Sequence, residues 1–128
     1  MAAQQIVLCD TNILIELTKG NPAIIQELKT IGLNNITISS ISACEFMFGA
    51  LNKQEMARIK RALKQIQTIH TNETISQIAT DLVEQFALSH HLDVADAFIA
   101  ATALEQKIPL YTLNKKHFRY IPNLILYK

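Results

Sequence analysis

The chain has 128 residues, of which 49% are hydrophobic, with three glycines and three prolines. That is the length of one domain, 1–128, with enough apolar content to exclude a disordered, collagen-like or low-complexity chain. Charged residues make up 18% and the formal net charge is +1, so a basic coat for holding nucleic acid is absent and such contacts must come from local patches.

The first apolar run, Ile6-Val7-Leu8-Cys9, is short and unbroken by polar residues. It reads as a strand buried on both faces, as in a parallel sheet. Asp10-Thr11-Asn12 follows, and residues 13–20 have helical character. Asn21 as cap and Pro22 at the first position restart a helix with Ile24, Ile25, Leu28 and Ile31 as its apolar stripe, and Gly32 ends it. Asn35-Ile36-Thr37-Ile38-Ser39 is a second strand. Ser40 or Ser42 can cap the next helix, which carries Cys44, Phe46, Met47, Phe48 and Leu51, and its three apolar residues 46–48 read as core.

A helix over 54–67 has Met56, Ile59, Leu63 and Ile66 on one face and Arg58, Lys60, Arg61 and Lys64 on the other, which reads as solvated. Thr68-Ile69-His70 is a short strand. Residues 71–91 form a long helix with Ile75, Ile78, Ala79, Leu82, Phe86 and Leu88 along it, and His90-His91 near its end reads as surface or cap. Residues 93–106 form an alanine-rich helix able to pack close to a neighbour. Leu110-Tyr111-Thr112 and Leu124-Ile125-Leu126 are the last strands. Strands alternating with helices predict an α/β domain around a mostly parallel sheet of four or five strands.

Cys9 and Cys44 are too few for a disulfide scaffold and read as small, buried, reduced thiols of a cytosolic protein. Met1-Ala2-Ala3-Gln4-Gln5 has no basic region, and the apolar run after it is cut by Asp10, so no signal peptide is read there. No apolar stretch approaches the roughly 20 residues of a membrane helix. The expectation is a soluble, cytoplasmic protein without a membrane partner.

In an open parallel sheet, ligands gather beyond the carboxyl ends of the strands. Asp10 falls there after the first strand, Glu45 after the second, and Thr112 and Asn114 after the strand that follows the alanine-rich helix. Asp96 lies in the first turn of that helix. Each acid also has a structural reading: Asp10 as a helix cap, Glu45 as an exposed helix residue, Asp93 and Asp96 as a capping box. Together they mean more. Two carboxylates about 4 Å apart repel by roughly 4 kcal/mol at an effective dielectric of about 20. Three of them raise one another's pKa or call for a cation. An all-oxygen set suits Mg²⁺ or Mn²⁺, and such an ion serves phosphodiester hydrolysis. No glycine-rich turn follows the first strand, which excludes a dinucleotide site. The paired acids and central phospho-accepting aspartate of a receiver domain are missing as well.

These residues carry a resemblance. Val7-Leu8-Cys9-Asp10-Thr11-Asn12-Ile13-Leu14-Ile15 resembles the opening of PIN-domain nucleases. The stretch from Ser39 through Glu45 to Gly49 is similar to the family's second motif, Asp96-Ala97-Phe98-Ile99-Ala100-Ala101 to its third, and Tyr111-Thr112-Leu113-Asn114-Lys115-Lys116-His117-Phe118 to its fourth. The compact length is most like the VapC-type toxin ribonucleases of toxin–antitoxin pairs. The resemblance implies a three-layer α/β/α fold, Mg²⁺- or Mn²⁺-dependent cleavage of RNA to 5′-phosphate and 3′-hydroxyl ends, a homodimer, and a cognate antitoxin that blocks the site.

Carried over by position, Asp10 and Asp96 would hold the metal and Glu45 would share in metal binding or water orientation. Thr11 and Asn12 would shape the turn, and Thr112 and Asn114 would form the fourth corner. Many members have a further acid where Asn114 or His117 stands. Asp93 is a candidate to supply part of that charge, and a weak or inactive domain that only binds RNA or protein is the alternative function. Lys115, Lys116 and Arg119, beside the fourth motif, are the candidate phosphate contacts.

Overall fold

Strand β1, Val7–Cys9, is buried along its whole length, as its unbroken apolar run requires. Val7 and Cys9 belong to one apolar cluster and Leu8 to another, so alternate side chains of this central strand feed two cores. The computed structural model describes residues 5–128; residues 1–4, part of the segment read as no signal peptide, lie outside them.

After β1 come α1 (Thr11–Thr18), α2 (Pro22–Ile31), a 3-10 turn (Leu33–Asn35), β2 (Ile36–Ser39), α3 (Ser40–Phe48), α4 (Lys53–Leu63) and β3 (Gln67–Ile69). Then follow α5 (Glu73–His90), α6 (Val94–Gln106), β4 (Leu110–Tyr111) and a 3-10 turn (Lys115–His117). The sheet order is β3-β2-β1-β4 and every pair is parallel, with Leu8 opposite Thr37 on one side and Leu110 on the other. Ile13, Leu14, Ile24, Leu28, Ile31, Phe46 and Ile59 from α1–α4 fill the Val7/Cys9 side. Ile75, Ala79, Leu82 and Phe86 from α5, with the alanines of α6, fill the Leu8 side. This is the expected three-layer sandwich. The chain winds outward from β1 to β3 with helices on one face, then crosses to β4 with helices on the other, so the strand order reverses between β1 and β4.

Local signals explain several boundaries. Asn21 accepts from the Ala23 amide at 3.1 Å, Pro22 opens α2, and Gly32 closes it at φ +94°, a conformation that glycine adopts without strain. Asp93 caps α6, accepting from the Asp96 amide at 2.8 Å.

Other expectations need correction. Helix α1 starts at Thr11, because Asp10 already caps it. Ser39, not Ser40 or Ser42, caps α3, so β2 passes directly into the helix. Asn35 belongs to the 3-10 turn, and α4 stops at Leu63 before the chain turns into β3. Leu124-Ile125-Leu126 forms no strand: out of a turn at Pro122 and Asn123, only Leu126 bridges to Leu110, leaving a sheet of four strands.

Leu88 is 95% exposed and Phe48 is 92% exposed, and Cys44 is exposed while Cys9 is buried. One cause covers all three. Each sits two positions from a buried phenylalanine, Phe86 or Phe46, and two positions on a helix lead to the opposite side. His90 and His91 are exposed as read; His91 closes α5 in the left-handed conformation, and the His90 ring stacks on Tyr120. Among the described residues no helix is long and apolar enough to cross a membrane.

Candidate active site

The order reversal between β1 and β4 opens a crevice at their carboxyl ends, the place where open α/β sheets bind ligands. Asp10 leaves β1 there and Thr112 leaves β4. The Asp10 amide donates to the Tyr111 carbonyl at 2.9 Å, which locks the two strand ends together.

Asp10 is buried, and its carboxylate is held from two sides: the Thr11 amide donates to Oδ1 at 2.7 Å and the Thr112 hydroxyl to Oδ2 at 2.8 Å. The Thr11 hydroxyl donates to Glu45 Oε1 at 2.6 Å, tying α1 to α3. Asn12 Nδ2 donates to the Thr112 hydroxyl at 3.4 Å, and the Leu113 amide donates to Asn12 Oδ1 at 3.3 Å. The Asn114 amide donates to the Thr112 hydroxyl at 3.0 Å. Thr112 thus joins Asp10, Asn12 and Asn114.

Asp10, Thr11, Asn12, Glu45, Asp93, Asp96 and Asn114 all line one cavity of about 710 Å³, together with Ile15, Cys44, Phe48 and His117. The structural and functional readings of the acids coexist: Asp10 and Asp93 cap helices and Glu45 is exposed, yet each borders this cavity. The capping box is one-directional, since Asp93 serves the Asp96 amide while the Asp96 side chain belongs to the cavity.

Lys115, Lys116 and Arg119 are exposed but do not line the cavity, and Lys115 Nζ turns away to the Lys128 carbonyl. His117 lines it instead, with Nδ1 3.7 Å from Asp96 Oδ2. The signal for His117 was its place three residues after Asn114, because i and i+3 share a side of a 3-10 turn.

Burial raises the pKa of Asp10, an effect offset in part by the hydrogen bonds from Thr112 and Thr11 and reinforced by the charge of Glu45. Asp96 is pushed up to about 7, first by burial and then by the like charges of Asp93, Asp10 and Glu45. The cavity therefore holds more negative charge than its own donors neutralise, the condition a cation relieves.

Among the described residues no three His, Cys, Asp or Glu side chains come close enough together to hold a metal ion. The acids border the cavity from different sides without a ready-made coordination shell. That arrangement fits a hard, hydrated divalent ion, which keeps several waters and needs only one or two carboxylates. It does not fit a structural zinc site, which requires four converging ligands.

A PIN domain family model matches residues 7–124. The chain belongs to the PIN domain family. Within it, the chain is similar to VapC proteins. Ribonuclease VapC1 of Methanocaldococcus jannaschii is 32% identical over 117 residues, covering 88% of this chain and 78% of the relative. A toxin–antitoxin complex from Klebsiella pneumoniae contains a chain that matches with a TM-score of 0.79 at 32% identity, over 95% of this chain and 98% of that one. VapBC2 from Rickettsia felis, bound to a DNA fragment from its promoter, matches with a TM-score of 0.82 at 28% identity, over 96% and 98%.

Proposed function

We propose that the chain is a VapC-type toxin ribonuclease, a metal-dependent endoribonuclease that hydrolyses RNA phosphodiester bonds and is restrained by an antitoxin partner. The observation that carries this reading is that Asp10, Glu45 and Asp96, far apart in the chain, border one cavity at the β1–β4 crevice of a PIN fold. The ribonuclease name of the VapC1 relative and the toxin–antitoxin complexes among the structural matches support it.

In this reading Asp10 and Asp96 would hold a divalent cation, Mg²⁺ or Mn²⁺, and Glu45 would share in its binding or in orienting water. When bound, the cation supplies Lewis-acid charge that eases ionisation of water and offsets charge building on the phosphate. The chain's own residues prepare for this. Thr112 and the Thr11 amide fix the Asp10 carboxylate, and the Thr11 hydroxyl fixes one oxygen of Glu45. Asn12 braces Thr112, and Asn114 offers a neutral amide where another acid would add charge. Asp93 adds a negative charge beside Asp96. Lys115, Lys116 and Arg119 stand outside the cavity, as contacts for the RNA backbone.

Exposed Phe48 lines the cavity, and exposed Leu51 follows it on the turn after α3. Apolar side chains at the rim of a charged pocket favour a protein partner that covers both. Homodimerisation belongs to the same reading, and the mass of the protein in solution tests it.

The central test is cleavage of RNA by purified protein with Mn²⁺ or Mg²⁺ and with EDTA. The native chain cleaves only with the cation, and Asp10→Asn and Asp96→Asn abolish the activity. Equal cleavage by all three proteins sinks the site assignment. Tight RNA binding without cleavage or metal dependence favours the binding-module alternative.

A further inference from the structure

We infer that a second cavity, next to the one the acids line, receives a nucleobase of the RNA strand, with Tyr127 and Tyr111 as its stacking surface and Lys115 and Lys128 beside the flanking phosphate. The inference rests on the ribonuclease reading above and adds where the strand continues beyond the acids. This cavity has a volume of about 440 Å³ and is bordered by Tyr111, Thr112, Leu113, Lys115, Tyr127 and Lys128, and by Glu27. The two cavities share the stretch that follows β4: Thr112 and Leu113 border the second, and Asn114 borders the first. The Thr112 hydroxyl donates to Asp10 and the Leu113 amide to Asn12, so the same bonds that order the acids also order this wall. A strand with a phosphate at the acids reaches the tyrosines by crossing exposed Leu113.

The lining matches both parts of a nucleotide. The Tyr111 and Tyr127 rings pack with centres 5.1 Å apart at 55°, and both residues stay partly exposed. Aromatic rings hold the bases of single strands whatever their identity, because every base has a π-face. Burial raises the pKa of both phenols, so they stay neutral beside a phosphate. Lys128 Nζ lies 5.9 Å from the Tyr127 ring centre, and the Lys115 ammonium donates to the Lys128 carbonyl, so two exposed cations stand at the rings. Glu27 holds the arrangement: its Oε1 accepts from the Tyr127 hydroxyl at 3.2 Å and lies 2.6 Å from Lys128 Nζ. The side chains of Lys115, Lys128 and Glu27 sum to one positive charge, whereas the neighbouring cavity is lined by acids. A chain with a formal net charge of only +1 must hold a polyanion through a local patch of this kind.

The test is fluorescence anisotropy with untagged full-length protein, in EDTA so that nothing is cut. The probes are a short labelled oligoadenylate and a ribose-phosphate chain of the same length without bases. The native protein prefers the base-bearing chain by about tenfold, the weight of one stacked base. Tyr127→Leu keeps the apolar bulk, binds the bare chain as the native protein does and loses most of the preference, whereas Tyr127→Phe retains it. Lys115→Gln weakens binding of both chains and lowers the slope of log affinity against log salt by about 0.7. Circular dichroism checks folding, and the native protein's choice between the two probes decides even where a variant does not fold. A preference that survives in folded Tyr127→Leu, or that the native protein lacks, overturns the inference, as does absence of binding to either chain. Mn²⁺-dependent cleavage of RNA by the native protein in those cases leaves the ribonuclease reading standing.

Discussion

Thr112 is 2% exposed, and its hydroxyl serves three neighbours at once. It donates to Asp10 Oδ2 and accepts from Asn12 Nδ2 and the Asn114 amide. A neutral side chain therefore sets the direction of a charged one. Replacing it with valine keeps the shape and removes the donor, which leaves a buried carboxylate oxygen unsatisfied. On the proposed reading Asp10 binds the metal, and losing an outer partner of such a residue typically costs about 10–100-fold in affinity or activity, so Thr112→Val should lower RNA cleavage by about that factor. Thr112→Ser, which retains the hydroxyl, should restore most of it. Single-turnover cleavage rates, with circular dichroism to confirm folding, decide the matter. If valine cleaves as well as threonine, the bond to Asp10 does not position the carboxylate.

Helices α5 and α6 make the most extensive contact of any two elements, and the alanines of α6 permit it. Ala100 is fully buried in that core. Ala100→Leu inserts three carbons where none fit and should cost about 1–3 kcal/mol, whereas Leu88→Ala on the solvent side should stay within about 0.5 kcal/mol. Urea titrations followed by circular dichroism measure both. The contrast also marks what was legible in the sequence. Cap signals are local, so Asn21-Pro22 and Asp93 read correctly. The strand-end rule found the acids because a parallel sheet gathers its strand ends on one edge. Leu88, Phe48 and Cys44 were misread because apolar or small character does not reveal which side of a helix a residue occupies when neighbours two positions away are apolar too. Leu124-Ile125-Leu126 has strand-like composition, but its pairing depends on how the turn at Pro122 and Asn123 delivers it to β4. The role of Thr112 as hub was hidden for the same reason, since it follows from where β4 meets β1.

At the scale of the molecule the formal net charge is only +1, yet negative charge is concentrated in one crevice, and stability should register the imbalance. Asp96 has an ordinary pKa of 3.8 and a folded value of about 7. Between these values the folded chain holds a proton that the unfolded chain has lost, so stability falls as pH rises through about 7 and recovers toward pH 4. Asp10 is shifted in the same direction. Thermal melts in EDTA should therefore show a higher Tm at pH 5 than at pH 8. Asp96→Asn should raise the pH 8 value and reduce the slope without removing it; an unchanged slope would show that Asp96 is not strained by its neighbours.

The link between Thr112 and Asp10 has a last consequence, in time instead of space. The two residues are 102 positions apart, and β4, which carries Thr112 to its place, is the final strand of the sheet. A chain emerging from the ribosome acquires Asp10 first, Glu45 next and Asp96 later, but the clasp around the first of them closes only after β4 has been made. Until then the Asp10 carboxylate is held from one side only, so the crevice takes its final arrangement of charge late in synthesis.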